Sequence, residues 1–184
     1  MRIIAGEYRG RSLKTLRGRE VRPTSDKLRE TLFNVLRAEV PGSVFIDCYA
    51  GSGAVGLEAL SRGASRVYLI EKAAAAAHVI GQNVAALGLE QTARIVRSEA
   101  KSGLRKLEAQ GVRAGICFLD PPYASLAEAL RHMLWLSGSA LMHQGGIMIL
   151  EHSRIAITPE NIGQWKRTRL LQQGSSALSF YRTE

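Results

Sequence analysis

The sequence predicts an α/β fold: a mostly parallel sheet with helices on both faces, a closing antiparallel hairpin, and a short basic β extension at the N-terminus. Three observations carry this. From residue 44 onward, short apolar runs alternate with segments of helical periodicity, the pattern of parallel strands joined by crossover helices. The last two strand-like runs flank the turn Gln173-Gly174-Ser175, which reads as a hairpin. The first 22 residues depart from both patterns, being rich in arginine and broken by Gly6, Gly10 and Gly18.

Taken in order, the N-terminal segment has β-like stretches over 2–5 and 12–16, so a hairpin-like extension is expected over 1–22, ahead of a main domain over 23–184. Pro23-Thr24-Ser25-Asp26 reads as a helix start, with Thr24 as N-cap and Asp26 at the positive end of the helix. Leu28, Leu32, Val35 and Leu36 recur at helical spacing and predict one buried face, with Lys27, Arg29 and Asn34 on the other. Pro41-Gly42 ends this helix. Strands follow over 44–48, 66–70, 93–97, 114–119 and 146–150, with helices over 54–61, 73–87, 99–110 and 126–136 between them. The hairpin strands cover 166–171 and 177–182. Five parallel strands and a terminal hairpin are the architecture expected of a Rossmann-like, class I methyltransferase domain more than of a dinucleotide dehydrogenase.

At 184 residues the chain is long enough for one sizeable core, and 46% hydrophobic with 22% charged residues is ordinary for a soluble globular protein. The net charge of +9 is not ordinary, and points to a polyanionic partner: nucleic acid or an anionic membrane surface. The excess is concentrated early, where Arg2, Arg9, Arg11, Lys14, Arg17, Arg19 and Arg22 face only Glu7 and Glu20. Because Ile3, Ile4, Tyr8, Leu13 and Leu16 interleave with them, the segment reads as a folded basic surface. Cys48 and Cys117 fall inside predicted buried strands and are expected to stay reduced, as in a cytoplasmic protein. There is no signal-peptide pattern and no apolar run long enough to span a membrane. The histidines His78, His132, His143 and His152 show no ligand spacing, so no metal site is expected.

The richest stretch is Asp120-Pro121-Pro122-Tyr123, which follows the apolar run 114–119. Each proline fixes its own φ and pushes the residue before it out of the helical region, giving a stiff, extended corner. Its acidic side chain and carbonyls offer acceptors in the plane of a flat ligand, and its aromatic ring offers a stacking face. An exocyclic amino group on a nucleobase or an amide is the natural guest.

The run Asp47-Cys48-Tyr49-Ala50-Gly51-Ser52-Gly53-Ala54-Val55-Gly56 joins the first parallel strand to its helix and contains G-x-G-x-x-G. Glu71 lies 20 residues after Gly51, which formally satisfies the dinucleotide fingerprint. Asp47 argues against a dinucleotide, since a carboxylate at the strand end repels a pyrophosphate but holds a ligand ammonium group. S-adenosylmethionine has that ammonium, a sulfonium and no phosphate, while its ribose diol still uses an acceptor such as Glu71. The cofactor-binding candidates are therefore Asp47, Tyr49, Ala50, Gly51, Ser52, Gly53, Glu71 and Lys72, with Ser98, Glu99 and Ala100 after the third strand. There an acid accepts from an adenine amino group; in the bland reading Ser98 merely caps the next helix.

These motifs, with Arg2-Ile3-Ile4-Ala5-Gly6, Arg9-Gly10-Arg11, Arg22-Pro23-Thr24, Arg29-Glu30-Thr31-Leu32-Phe33-Asn34 and Gly56-Leu57-Glu58-Ala59, resemble the RsmD family over nearly the whole chain. That family comprises bacterial 16S ribosomal RNA (guanine-N2)-methyltransferases. The resemblance implies methyl transfer from S-adenosylmethionine to one guanine N2 of small-subunit RNA, within an assembled or assembling particle, by a monomeric cytoplasmic enzyme. It implies catalytic roles for Asp120, Pro121, Pro122 and Tyr123, and cofactor roles for Asp47, Gly51, Gly53 and Glu71. Thr24, a further cofactor-binding candidate, and the Arg22-to-Arg29 region fall beside the pocket by analogy, as a lid or an RNA contact. The RNA-binding candidates are Arg2, Arg9, Arg11, Lys14, Arg22 and Arg29. Two other readings stay open: an adenine-N6 methyltransferase acting on DNA, and a non-catalytic RNA-binding assembly factor.

Overall fold

The computed structural model describes residues 1–16 and 25–183. Its centre is an eight-stranded sheet: β1 (Val44–Cys48), β2 (Arg66–Glu71), β3 (Ala93–Arg97), β4 (Ala114–Leu119), β5 (Met142–Ser153), β6 (Asn161–Ile162), β7 (Trp165–Gln173) and β8 (Ser176–Thr183). The order across the sheet is β3-β2-β1-β4-β5-β8-β7-β6. The first five strands run parallel, and β8 and β7 add antiparallel beyond β5. The predicted mostly parallel sheet with a closing hairpin is thus the observed fold.

The helices are α1 (Asp26–Val35), α2 (Ala54–Ser61), α3 (Ala74–Leu87), α4 (Ala100–Ala109) and α5 (Leu126–Ser137). Alternate strand residues feed two apolar layers, as the two-residue period of a strand requires. Phe45, Ile116, Phe118, Ile147 and Ile149 pack with α1, α2 and α3, whereas Ile46, Cys117, Leu119, Met148 and Leu150 pack with α4 and α5.

The structure differs from expectation in four places. β5 begins at Met142 rather than at residue 146, with a register irregularity where the polar residues His143 and Gln144 and the left-handed Gly145 disguise the strand. The two-residue β6 was too short to leave a periodic signal. Thr24, the predicted cap of α1, lies outside the described residues; the side chain that caps is Ser25, whose Oγ accepts the Leu28 N–H at 3.1 Å. Finally, among its described residues the N-terminal segment pairs by a single antiparallel β bridge, Arg2 to Ser12, and not by two extended strands.

That segment takes its hydrogen bonds from the main body. The buried Glu58 on α2 accepts from the Ile4 N–H (2.8 Å) and the Ala5 N–H (3.0 Å). Ser61 Oγ accepts from the Tyr8 N–H, and Asn83 Oδ1 from the Lys14 N–H. Ile3 and Leu13 enter the same apolar layer as α1 and α2. The approach is close: a Cβ on Gly6, which has φ +87°, would lie 1.8 Å from the Ser61 carbonyl oxygen. Only glycine satisfies both the backbone angle and the contact.

Candidate active site and cofactor pocket

The predicted site residues converge because of strand order. β1 lies between β2 and β4, so the chain crosses the sheet in opposite directions on either side of it, and the carboxyl ends of these strands flank a crevice. Cys48 pairs with Leu119, the last residues of β1 and β4, and the Asp120 N–H reaches the Cys48 carbonyl at 3.5 Å. The proline corner is thereby set against the glycine loop.

Within the corner, Asp120 is half-buried, Pro121 is buried and Tyr123 is 53% exposed. Pro122 and Tyr123 turn directly into a 3-10 segment, Tyr123–Ser125, and the Pro122 carbonyl accepts the Ser125 N–H at 2.7 Å. One of the carbonyls expected to offer an acceptor is therefore already paired. The Pro121 carbonyl takes no hydrogen bond among the described residues. Tyr123 keeps an open ring face, with its hydroxyl 3.5 Å from Ser176 Oγ.

The loop after β1 is wound tightly. Tyr49, Gly51 and Gly53 have φ of +65°, +56° and +80°. A Cβ on Gly51 would meet nothing within 4 Å, so glycine is needed there for its angle and the loop's outer side stays open. Asp47 is only 2% exposed, and its Oδ2 accepts the Gly56 N–H in the first turn of α2 at 2.8 Å. Burial pushes its carboxyl up to about 7, the Gly56 N–H pulls it back, and the Glu71 charge adds to the rise.

This contact tests the ligand. A pyrophosphate needs the amides at a helix N-terminus, and here a carboxylate already takes one of them. Asp47 is therefore a correction: buried behind the loop, it braces the loop and does not itself meet a ligand ammonium group. The half-buried Glu71 and the exposed Glu99 leave acceptors at this edge for a ligand with a diol and no phosphate. S-adenosylmethionine fits that description; a dinucleotide does not.

Glu71 ends β2 and accepts from the Gly51 N–H (2.9 Å) and the Ala73 N–H (2.8 Å), which clamps the loop to the neighbouring strand. Ser98 follows β3 and donates its N–H to the Glu71 carbonyl. Ser98 does not cap α4: the cap position is Glu99, without a side-chain hydrogen bond to the helix. Glu99 is instead exposed and pairs with the equally exposed Lys72 at 3.5 Å, while Ala100 is buried as the first residue of α4. Ala50 donates to the Ile70 carbonyl, and the Ser52 carbonyl accepts from Asn83.

Two features were missed by the sequence reading. The Tyr49 hydroxyl sits 3.1 Å from Nδ1 of His132 on α5, 83 residues away, and Nε2 of that ring faces Glu128 at 3.6 Å. Burial raises the Tyr49 phenol above its ordinary range and lowers the His132 imidazole, so the neutral pair is favoured. Glu151, at the end of β5, lines a small cavity with Pro121 and Tyr123; its only sequence cue was an acid directly after a buried strand.

The basic candidates divide. Arg2, Arg9, Arg11 and Lys14 are exposed on the folded N-terminal segment, and Arg11 also donates to the Ala86 carbonyl at 3.1 Å. Arg22 lies outside the described residues. Arg29 is a correction: its side chain is fully buried, bonded to the Arg2 carbonyl and to Asp26, with Nε 3.8 Å from Glu58. It holds the N-terminal segment in place and does not face RNA.

The family model described as Conserved hypothetical protein 95 matches residues 1–182. Ribosomal RNA small subunit methyltransferase D of Escherichia coli is 41% identical over 148 residues, which cover 78% of this chain and 73% of that protein. The chain belongs to the RsmD family. The Haemophilus influenzae protein of the same description is 34% identical across 99% of this chain and 92% of its own length. A solved structure of a Thermus protein superimposes with a TM-score of 0.83 and 34% identity, covering 100% of this chain and 99% of that one. This chain is accordingly a methyltransferase. Among the described residues no helix is long and apolar enough to cross a membrane.

Proposed function

We propose that this enzyme methylates the exocyclic N2 of one guanine in 16S ribosomal RNA. It acts as a cytoplasmic monomer on an assembled or assembling small subunit. Residues 23–184 form the catalytic unit, and residues 1–22 serve it as a recognition extension. The observation that carries the reading is the proline corner, with its acid, carbonyl and exposed ring set against the glycine loop. The ribosomal substrate follows from the relatives of this chain named as small-subunit RNA methyltransferases.

When bound, S-adenosylmethionine supplies a methyl group on a sulfonium, a strong electrophile open to in-line attack. The loop braced by Asp47 and clamped by Glu71 holds the donor, with Ser98 and Glu99 at the adenine end. A guanine amino group is conjugated with its ring and weakly nucleophilic. The Asp120 carboxylate and the Pro121 carbonyl accept its two hydrogens, orient its lone pair and stabilise the positive charge that develops on nitrogen, which then gives up its surplus proton to the Asp120 carboxylate or to water. Tyr123 stacks on the base, an interaction typically worth about 1–3 kcal/mol. A stacked base must be unstacked before it can enter this corner.

The test is a methylation assay comparing small ribosomal subunits, free ribosomal RNA and duplex DNA, with the product mapped by mass spectrometry. Methylguanosine in the ribosomal RNA is expected. Methylation confined to adenine in duplex DNA would refute the proposal. Asp120→Ala is expected to abolish transfer while calorimetry finds the donor bound nearly as tightly; a large loss of donor affinity contradicts the assigned role.

A further inference from the structure

The connection between β5 and β6 exposes Ile155 and Ile157 by 91% and 94%, more than any other large apolar side chain among the described residues. Scattered exposed apolar residues are common. Two almost fully exposed isoleucines on a pinned connection beside an active site are not.

The connection is held at both ends. The Arg154 N–H donates to the Ser175 carbonyl (2.8 Å), and the Ala156 N–H donates to the Ser153 carbonyl (3.0 Å). Arg167 Nη1 donates to the Thr158 carbonyl (3.0 Å) and hydroxyl (2.7 Å), and the Tyr181 hydroxyl donates to the Pro159 carbonyl (2.8 Å). Between the two isoleucines, Ala156 turns inward and lines the same small cavity as Pro121 and Tyr123. The isoleucines therefore project at the rim of the catalytic corner, on backbone already ordered for contact.

We propose that Ile155 and Ile157 are an apolar wedge that enters the RNA at the position vacated by the target guanine. This rests on the reading of the corner as an RNA base site. Bringing a base to Tyr123 strips its neighbours of a stacking partner, and that newly exposed apolar surface needs cover. Branched aliphatic side chains are among those that nucleic-acid-binding proteins insert between bases. Arg154, exposed directly before Ile155, supplies a cation for the adjoining phosphate. A protein partner would call for a broad continuous apolar patch. Here the apolar surface is a narrow pair of side chains beside an arginine, on a chain of net charge +9.

The test uses the full chain and small ribosomal subunits. Neither isoleucine packs in the core, so Ile155→Ser with Ile157→Ser is expected to leave the melting temperature and donor affinity unchanged. It is expected to lower kcat/KM for subunits about 10-fold or more, and Ile→Met at both positions to restore most of it. In parallel, Ile155 is replaced by photoreactive p-benzoylphenylalanine and irradiated on the subunit, and a crosslink to 16S RNA next to the mapped guanine is expected. A crosslink to a ribosomal protein, or to nothing, overturns the wedge, as does a double serine variant with wild-type kcat/KM. If the wild-type chain methylates neither subunits nor free ribosomal RNA, the underlying substrate reading fails, and the wedge with it.

Discussion

Glu58→Gln is the perturbation whose cost follows most directly from the structure. The Glu58 carboxylate is fully buried and accepts the Ile4 and Ala5 N–H groups and Arg62 Nε, the last at 2.7 Å. It also lies 3.8 Å from Nε of the fully buried Arg29, whose Nε and Nη1 have no hydrogen-bond partner among the described residues. Glutamine keeps one acceptor, turns an amide donor toward groups that are themselves donors, and removes the charge opposing the buried guanidinium. Breaking a buried pair on one side costs about 3–5 kcal/mol. Each N–H bond lost to a charged acceptor falls in a range of about 1.5–3 kcal/mol, and the terms overlap. A loss of about 4 kcal/mol is a large share of the roughly 5–15 kcal/mol that holds a domain folded. At about 2–4 °C per kcal/mol for a chain of this size, the melting temperature should fall by about 10 °C. Calorimetry measures that fall, and hydrogen exchange should show the Ile4 and Ala5 amides losing protection before the strands do. A melting temperature within about 2 °C of wild type, with these amides still protected, would refute the reasoning.

Three further outcomes are expected. Asp47 titrates near 7 in the folded protein against 3.8 ordinarily, so between these values the native state holds a proton the unfolded chain has released. Stability therefore falls as pH rises through that window, by about 4 kcal/mol at most; Asp47→Asn should flatten the difference between urea melts at about pH 4 and about pH 8, and an unchanged difference contradicts the burial argument. Tyr49→Phe removes the bond to His132 and should weaken donor binding by about 1 kcal/mol, roughly fivefold by calorimetry; undiminished affinity would separate this pair from the pocket. Arg9→Ala with Arg11→Ala should weaken RNA binding and reduce the slope of log K against log salt by about 1.5–2; an identical slope would remove these arginines from the RNA interface.

The sequence by itself determined the order of strands and helices, the proline corner, the glycine loop and the basic N-terminal segment. Periodicity, proline and glycine stereochemistry and charge act over a few residues, so they are readable in one dimension. The tertiary structure decided which polar groups face inward. Arg29 follows Leu28 at the border of the apolar face of α1, and spacing alone assigned it to solvent; the N-terminal segment covers that border, and Glu58 from α2 supplies the opposing charge. Asp47 was legible as an acid at a strand end, but its bond to Gly56 depends on how α2 packs back on β1. Tyr49 and His132 meet across 83 residues, and Ile155 and Ile157 are ordinary residues in the sequence until the fold leaves them uncovered beside Tyr123. Burial is a property of what packs against a residue, and only the folded chain brings those partners together.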